Sequence, residues 1–159
     1  DCKYGHSVDE NGLALTLLKS STYPDPKADQ GEHEFSYALL PHVGDWREGG
    51  VVDAAYAFNC PAEAIPGMRA KDANAFVRLE GEGAVVESVK KAEDGGDVIV
   101  RLYECYGRRA NVKLIPGFPF AQAHVCNILE ENGEAAAVEN GAIALSLKTY
   151  QIVTLRFGR

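Results

Sequence analysis

The side chains best suited to chemistry stand in one polar run, Lys19-Ser20-Ser21-Thr22-Tyr23-Pro24-Asp25-Pro26-Lys27-Ala28-Asp29-Gln30-Gly31-Glu32-His33-Glu34. Carboxylates beside an aromatic ring are what sugar recognition uses. The acidic oxygens accept from ring hydroxyls, and the aromatic face covers the apolar C–H side of the sugar. The run joins two alternating segments, is too long for a hairpin, and is stiffened by Pro24 and Pro26; connections beyond about 12 residues are often functional. The same residues also suit a solvated loop packed by its prolines, with Asp25 and Asp29 in turns or caps.

Other reactive constellations are missing from the chain. There is no G-x-S-x-G elbow, no P-loop, no G-x-G-x-x-G after a strand and no H-E-x-x-H. His6, His33, His42 and His124 lack metal-ligand spacing and no H-x-H occurs. Lys27 between Asp25 and Asp29, with Gln30 where Gly is required, excludes an EF-hand-like loop. No catalytic residue and no metal ligand is therefore assigned. Asp and Glu are plentiful, yet a sequence cannot place two of them the roughly 5 to 9 Å apart that glycosidic acid/base work needs.

Asp45-Trp46-Arg47-Glu48 has the form of a capping box, predicting a helix with Trp46 anchored in the core and Val51, Ala55 and Phe58 along one stripe until Pro61 stops it. Gly49 and Gly50 would each cost it about 1 kcal/mol relative to Ala. Lys90-Lys91 and Arg108-Arg109 read as solvated hairpin ends. Cys2, Cys60, Cys105 and Cys126 form no C-x-x-C, and no signal peptide is visible; free thiols in a reducing, cytoplasmic setting are expected.

The elements that must carry these residues have period two. Leu13, Leu15 and Leu17 alternate with Ala14 and Thr16, and His33, Phe35, Tyr37 and Leu39 alternate with Glu34, Ser36 and Ala38. Val85, Glu87 and Val89 lead to a hairpin turn at Asp94-Gly95-Gly96, and Val98 to Tyr106 reads as a central strand covered on both faces. Val112–Ile115, Ala123–Leu129, Ile143–Leu147 and Ile152–Phe157 follow, parted by Pro116-Gly117, Asn132-Gly133 and Asn140-Gly141. About eight or nine strands with one short helix predict an all-β, antiparallel β-sandwich.

At 159 residues the chain suits one domain, residues 1–159. Its 16 basic against 23 acidic side chains, a net charge of −7, argue against nucleic-acid or anionic-membrane partners. The apolar runs fall far short of the roughly 20 residues that span a bilayer. Opening on Asp1-Cys2-Lys3 without Met, the chain is expected to be the tail of something longer.

Much of the chain resembles the C-terminal region of glycoside hydrolase family 38 α-mannosidases, in a bacterial and yeast-vacuolar style. The residues that carry the likeness are Asp1-Cys2-Lys3-Tyr4-Gly5, Thr22-Tyr23-Pro24-Asp25-Pro26, Asp29 to Phe35, Tyr37-Ala38-Leu39 and Pro41 to Trp46. Val89 to Asp94, Arg101 to Glu104 and Tyr150 to Leu155 add to it. The resemblance implies part of a galactose-mutarotase-like supersandwich. Its larger parent would be a retaining α-mannosidase with zinc and a nucleophilic Asp in an upstream catalytic domain. None of those catalytic or zinc motifs has a counterpart here, so the fragment is expected to be inactive and to hold no cofactor. Its implied partners are that catalytic domain, α-mannoside glycans and further copies of itself. Tyr23, Asp25, Asp29, Glu32 and His33 become the substrate-binding candidates, on a loop that would approach the cleft. A carbohydrate-binding module or an oligomerisation domain is the alternative role.

Overall fold

The computed structural model describes residues 5–64, 66 and 75–158. It divides into two compact units, Asp1–Ala62 and Glu63–Arg159.

In the first unit, Asp9 Oδ1 accepts from the N–H groups of Asn11 (2.8 Å) and Gly12 (3.1 Å). This Asx turn folds β1 (His6–Asp9) back on β2 (Gly12–Leu15). The alternation expected through Leu17 is paired as a strand only to Leu15. The strand expected over His33–Leu39 has no ladder partner among the described residues. Period two orients side chains, but a strand also needs a neighbouring edge for its backbone.

The capping box forms as expected: Asp45 Oδ1 accepts from Arg47 N–H (2.8 Å) and Glu48 N–H (3.1 Å), and Glu48 Oε2 accepts from Asp45 N–H (3.2 Å). The turn it starts closes almost at once. Val51 N–H reaches back to Trp46 C=O (3.1 Å) and Gly50 N–H to Arg47 C=O (3.2 Å), a Schellman closure with Gly50 left-handed at φ 64°. Gly50 then serves as N-cap of α1 (Val51–Asn59), its carbonyl accepting from Ala54 N–H at 3.1 Å. Gly49 is needed for space, since the His42 ring occupies the place of a Cβ there.

Two expectations for this segment are corrected. Trp46 is 38% exposed, under the Arg47 guanidinium at 4.3 Å, and does not anchor a core. The half-buried helix positions are Val51, Val52, Ala54 and Tyr56, while Ala55 and Phe58 are exposed. None of the described side chains of this unit is fully buried.

The second unit holds the sandwich. Its strands are β3 (Val77–Glu80), β4 (Ala84–Lys91), β5 (Val98–Glu104), β6 (Ala110–Pro116), β7 (Gln122–Cys126), β8 (Asn132–Ala135), β9 (Ile143–Leu147) and β10 (Ile152–Gly158). They build a five-stranded sheet in the order β4-β5-β10-β7-β8 and a three-stranded sheet β3-β6-β9, antiparallel throughout. Register explains the core. Val100 lies opposite Leu155 and Val98 opposite Phe157, while Leu114 lies opposite Ile143 and Ala110 opposite Leu147. These residues join Leu102, Val112, Ala123 and Val153 in one buried cluster. Phe118 and Phe120 meet the Phe157 ring edge-on at 5.5 and 5.1 Å. The described residues are all-β and antiparallel, a sandwich in the second unit, with one short helix in the first.

β5 is covered on both faces as expected, with Ile99 buried beside Ala92 and Cys126. Asn140 and Gly141, at φ 51° and 76°, make the tight turn bridging Glu139 and Ala142. Asn132-Gly133 does not separate strands but opens β8, where a Cβ on Gly133 would lie 2.9 Å from Val125 C=O. Cys60 and Cys126 carry free thiols, and Cys2 lies outside the described residues. No helix is long and apolar enough to cross a membrane among the described residues.

Candidate functional site

The polar loop of the first unit is ordered by its own hydrogen bonds. Asp25 Oδ1 accepts from Lys27 N–H at 2.9 Å, and Asp25 C=O from Ala28 N–H at 3.2 Å. The Gln30 amide donates to Pro26 C=O (3.2 Å), Ser20 Oγ to Ala28 C=O (2.7 Å) and Ser21 Oγ to Tyr23 C=O (2.6 Å). The Tyr23–Pro24 peptide is cis, and Asp29 is left-handed at φ 55°, a conformation Asp tolerates better than most residues. His33 Nε2 lies 2.9 Å from Asp29 C=O, which assigns the proton to Nε2.

The structure therefore brings Asp29 and His33 together through main chain, and Asp25 serves the turn that composition also allowed. Among the described residues, no side-chain hydrogen bond joins Tyr23, Asp25 and Glu32. Tyr23 is 86% exposed, Asp25, Glu32 and His33 are exposed, and Asp29 is half-buried. Such a loop presents an aromatic face and acceptor oxygens on a backbone whose shape is already set.

No group of three His, Cys, Asp or Glu that could hold a metal ion occurs among the described residues. They do not fit the zinc set that the resemblance associates with the parent enzyme, and no step through a metal follows from them.

A second polar assembly, which the sequence reading missed, lies on the outer face of the five-stranded sheet. Arg156 donates to Asp94 (2.8 and 3.1 Å), to Asp97 Oδ2 (2.7 Å) and to Glu130 C=O (3.1 Å). Lys90 bridges Glu93 and Glu130, and the nearly buried Glu130 carboxylate also accepts from Glu93 N–H at 2.8 Å. Lys90 is thus no mere solvated hairpin end. Arg108 lies over the Tyr106 ring at 5.4 Å.

Each cation here is shared between two carboxylates. Asp94 and then Asp97 push the Arg156 pKa still higher, and Glu130 and then Glu93 raise that of Lys90. The Lys90 ammonium, followed by Glu93 N–H, holds the Glu130 carboxyl below its usual range. Burial pushes the Cys126 thiol up, away from the thiolate. The assembly is spent on tying the β4–β5 turn and the β7–β8 connection to β10. One signal was available: Thr154 and Arg156 alternate with Leu155 and Phe157, so an arginine on the outward face needed acidic partners.

Residues 83–155 match the family described as "Glycosyl hydrolases family 38 C-terminal beta sandwich domain". The match covers β4 through most of β10 and leaves out β3. Residues 83–155 are a family 38 C-terminal β-sandwich region.

The likeness extends beyond that domain. Alpha-mannosidase 2C1 of Homo sapiens is 35% identical and that of Mus musculus 34% identical, each over 98% of this chain. Alpha-mannosidase G of Dictyostelium discoideum is 31% identical over 99% of it. These matches therefore extend over the first unit, whereas the family 38 domain match begins at residue 83. The chain spans only 16% of the human and mouse proteins and 15% of the Dictyostelium protein.

Proposed function

We propose that this chain is a non-catalytic part of a zinc-dependent, retaining α-mannosidase that releases terminal α-D-mannosyl residues. It packs on the catalytic domain and lends the loop bearing Tyr23, Asp25, Asp29, Glu32 and His33 to the mannoside site. The parent's nucleophile and zinc lie outside this chain, and the enzyme works in the cytoplasm, with its sandwich region available for association between copies. The observation that carries the reading is the loop itself: hydrogen bonds among Ser20, Asp25, Ala28, Gln30 and His33 set its shape, while Tyr23, Asp25, Glu32 and His33 stay exposed. A pre-shaped loop loses little entropy when it meets a ligand. Likeness to named α-mannosidases supports the substrate class.

The test is kinetic, on the full-length enzyme with 4-nitrophenyl α-mannoside. Tyr23→Ala, Asp25→Asn and Glu32→Gln are compared with wild type. Loss of one charged hydrogen bond or stacking contact lowers kcat/KM about ten-fold, since 1.4 kcal/mol is a factor of ten. Wild-type kcat/KM in all three would remove the loop from the mannoside site.

A further inference from the structure

Residues 33–40 carry the alternation of a strand without any strand to pair with. His33, Phe35, Tyr37 and Leu39 fall on one side, and Glu34, Ser36, Ala38 and Leu40 on the other. The His33 and Phe35 rings are stacked, 6.0 Å between centroids and 10° from parallel. Two residues of extended chain advance about 6.6 Å, so this i, i+2 stack is the geometry of a strand already drawn out. Yet residues 34–41 make no hydrogen bond among the described residues. Tyr37 is 70% exposed and Leu39 81% exposed. A row of unpaired N–H and C=O groups beside exposed apolar side chains is the state of a sheet edge awaiting its neighbour.

We propose that residues 34–40 are a strand that completes a sheet in another part of the same polypeptide, adding to an open edge there with the Phe35, Tyr37 and Leu39 side turned inward. The inference rests on the reading that this chain belongs to a larger mannosidase. The occupant follows from size and charge. The relatives align with nearly all of the chain, yet the chain spans only 16% of the human protein's length, and in a parent of that size the remaining sequence is ample to supply the edge. A second copy is disfavoured, because each chain carries a net charge of −7 and Glu32 and Glu34 border the segment.

Hydrogen exchange read by mass spectrometry tests this on two samples, this chain alone and the full-length enzyme that carries it. In the chain alone, amides 34–40 exchange at the rate of an unstructured peptide. In the full-length enzyme they slow at least about 100-fold. Ser36→Pro and Tyr37→Pro remove adjacent donors, and at least one of them restores fast exchange across the segment in the full-length enzyme. Fast exchange of the segment in the wild-type full-length enzyme overturns the proposal. So does protection in the chain alone that grows with concentration, which assigns the edge to a second copy. Exchange is measured without substrate, so a protected segment in an enzyme whose loop variants keep wild-type kcat/KM retains this inference while removing the loop's role.

Discussion

Tyr150 donates its backbone N–H to Glu104 Oε2 at 2.8 Å across 46 residues of sequence. The same carboxylate accepts from the N–H groups of Tyr106 (2.6 Å), Gly107 (3.1 Å) and Arg108 (3.3 Å). Glu104 is 1% exposed, so it holds the β5–β6 and β9–β10 turns from inside. Burial alone would push its carboxyl up, but the backbone donors, Tyr150 foremost, outweigh this and hold it below the usual range.

Glu104→Gln replaces one acceptor oxygen by an NH₂ that faces N–H donors. Leaving buried donors unsatisfied costs about 1–3 kcal/mol. A drop in Tm of at least about 4 °C by circular dichroism is expected. A Tm equal to wild type would mean that water reaches these turns.

Acid should loosen the sandwich, and the sign follows from the groups involved. Glu104, Glu130 and Asp94 have folded pKa values below their ordinary 4.5, 4.5 and 3.8. Their contribution is complete above about pH 4.5 and is lost as pH falls through the folded values. The folded Lys90 value lies above 10.5, so its contribution is complete below 10.5 and lost only as pH rises through that higher value. The urea midpoint is expected to hold between pH 6 and 9 and to fall between pH 4.5 and 3. Arg156→Ala returns Asp94 toward its ordinary value. That variant should start lower at pH 7 and fall less steeply in acid; parallel curves would show that Arg156 does not couple to the titration.

Phe157 is 0% exposed at the meeting of Phe118 and Phe120, whereas Phe76 is 55% exposed. Phe157→Ala should destabilise by about 3–5 kcal/mol in urea unfolding, and Phe76→Ala by clearly less. Equal costs would place the aromatic core elsewhere.

The isolated chain is expected to release no 4-nitrophenol from 4-nitrophenyl α-mannoside, with or without added zinc, and to give no heat when titrated with mannose up to about 1 mM. Turnover would contradict a non-catalytic role. Heat that disappears in Asp29→Ala would turn the reading toward a carbohydrate-binding module.

The sandwich was legible because its signals are local. Val98 to Glu104 shows burial on both faces, and Asn140-Gly141 makes the turn its residue types demand. The same logic misled at His33–Leu39, where alternation is present and the pairing edge is not among the described residues. It also misled at Asn132-Gly133, where glycine answers a close approach to Val125 C=O and makes no turn. The capping box was readable from Asp45 and Glu48. Its closure at Gly50 was not, because a Schellman bond depends on one left-handed φ that glycine permits without requiring. For the loop, composition pointed to Asp25, and only the structure shows its carboxylate committed to Lys27 N–H. The Arg156 assembly joins Asp94, Asp97 and Glu130 across distant stretches of sequence, beyond what local pattern carries.

The place of β10 between β5 and β7 has a consequence for synthesis. As the chain leaves the ribosome, β5 emerges with β4 on one side and nothing on the other, and β7 emerges with no link to it. Leu155 must arrive opposite Val100 and Val125 before the two halves become one sheet. Until then both strands offer raw edges to any neighbouring nascent chain, the period in which β proteins are most prone to wrong pairing. A stop or frameshift between Ala135 and Ile152 would therefore leave two half-sheets in place of a slightly shortened domain.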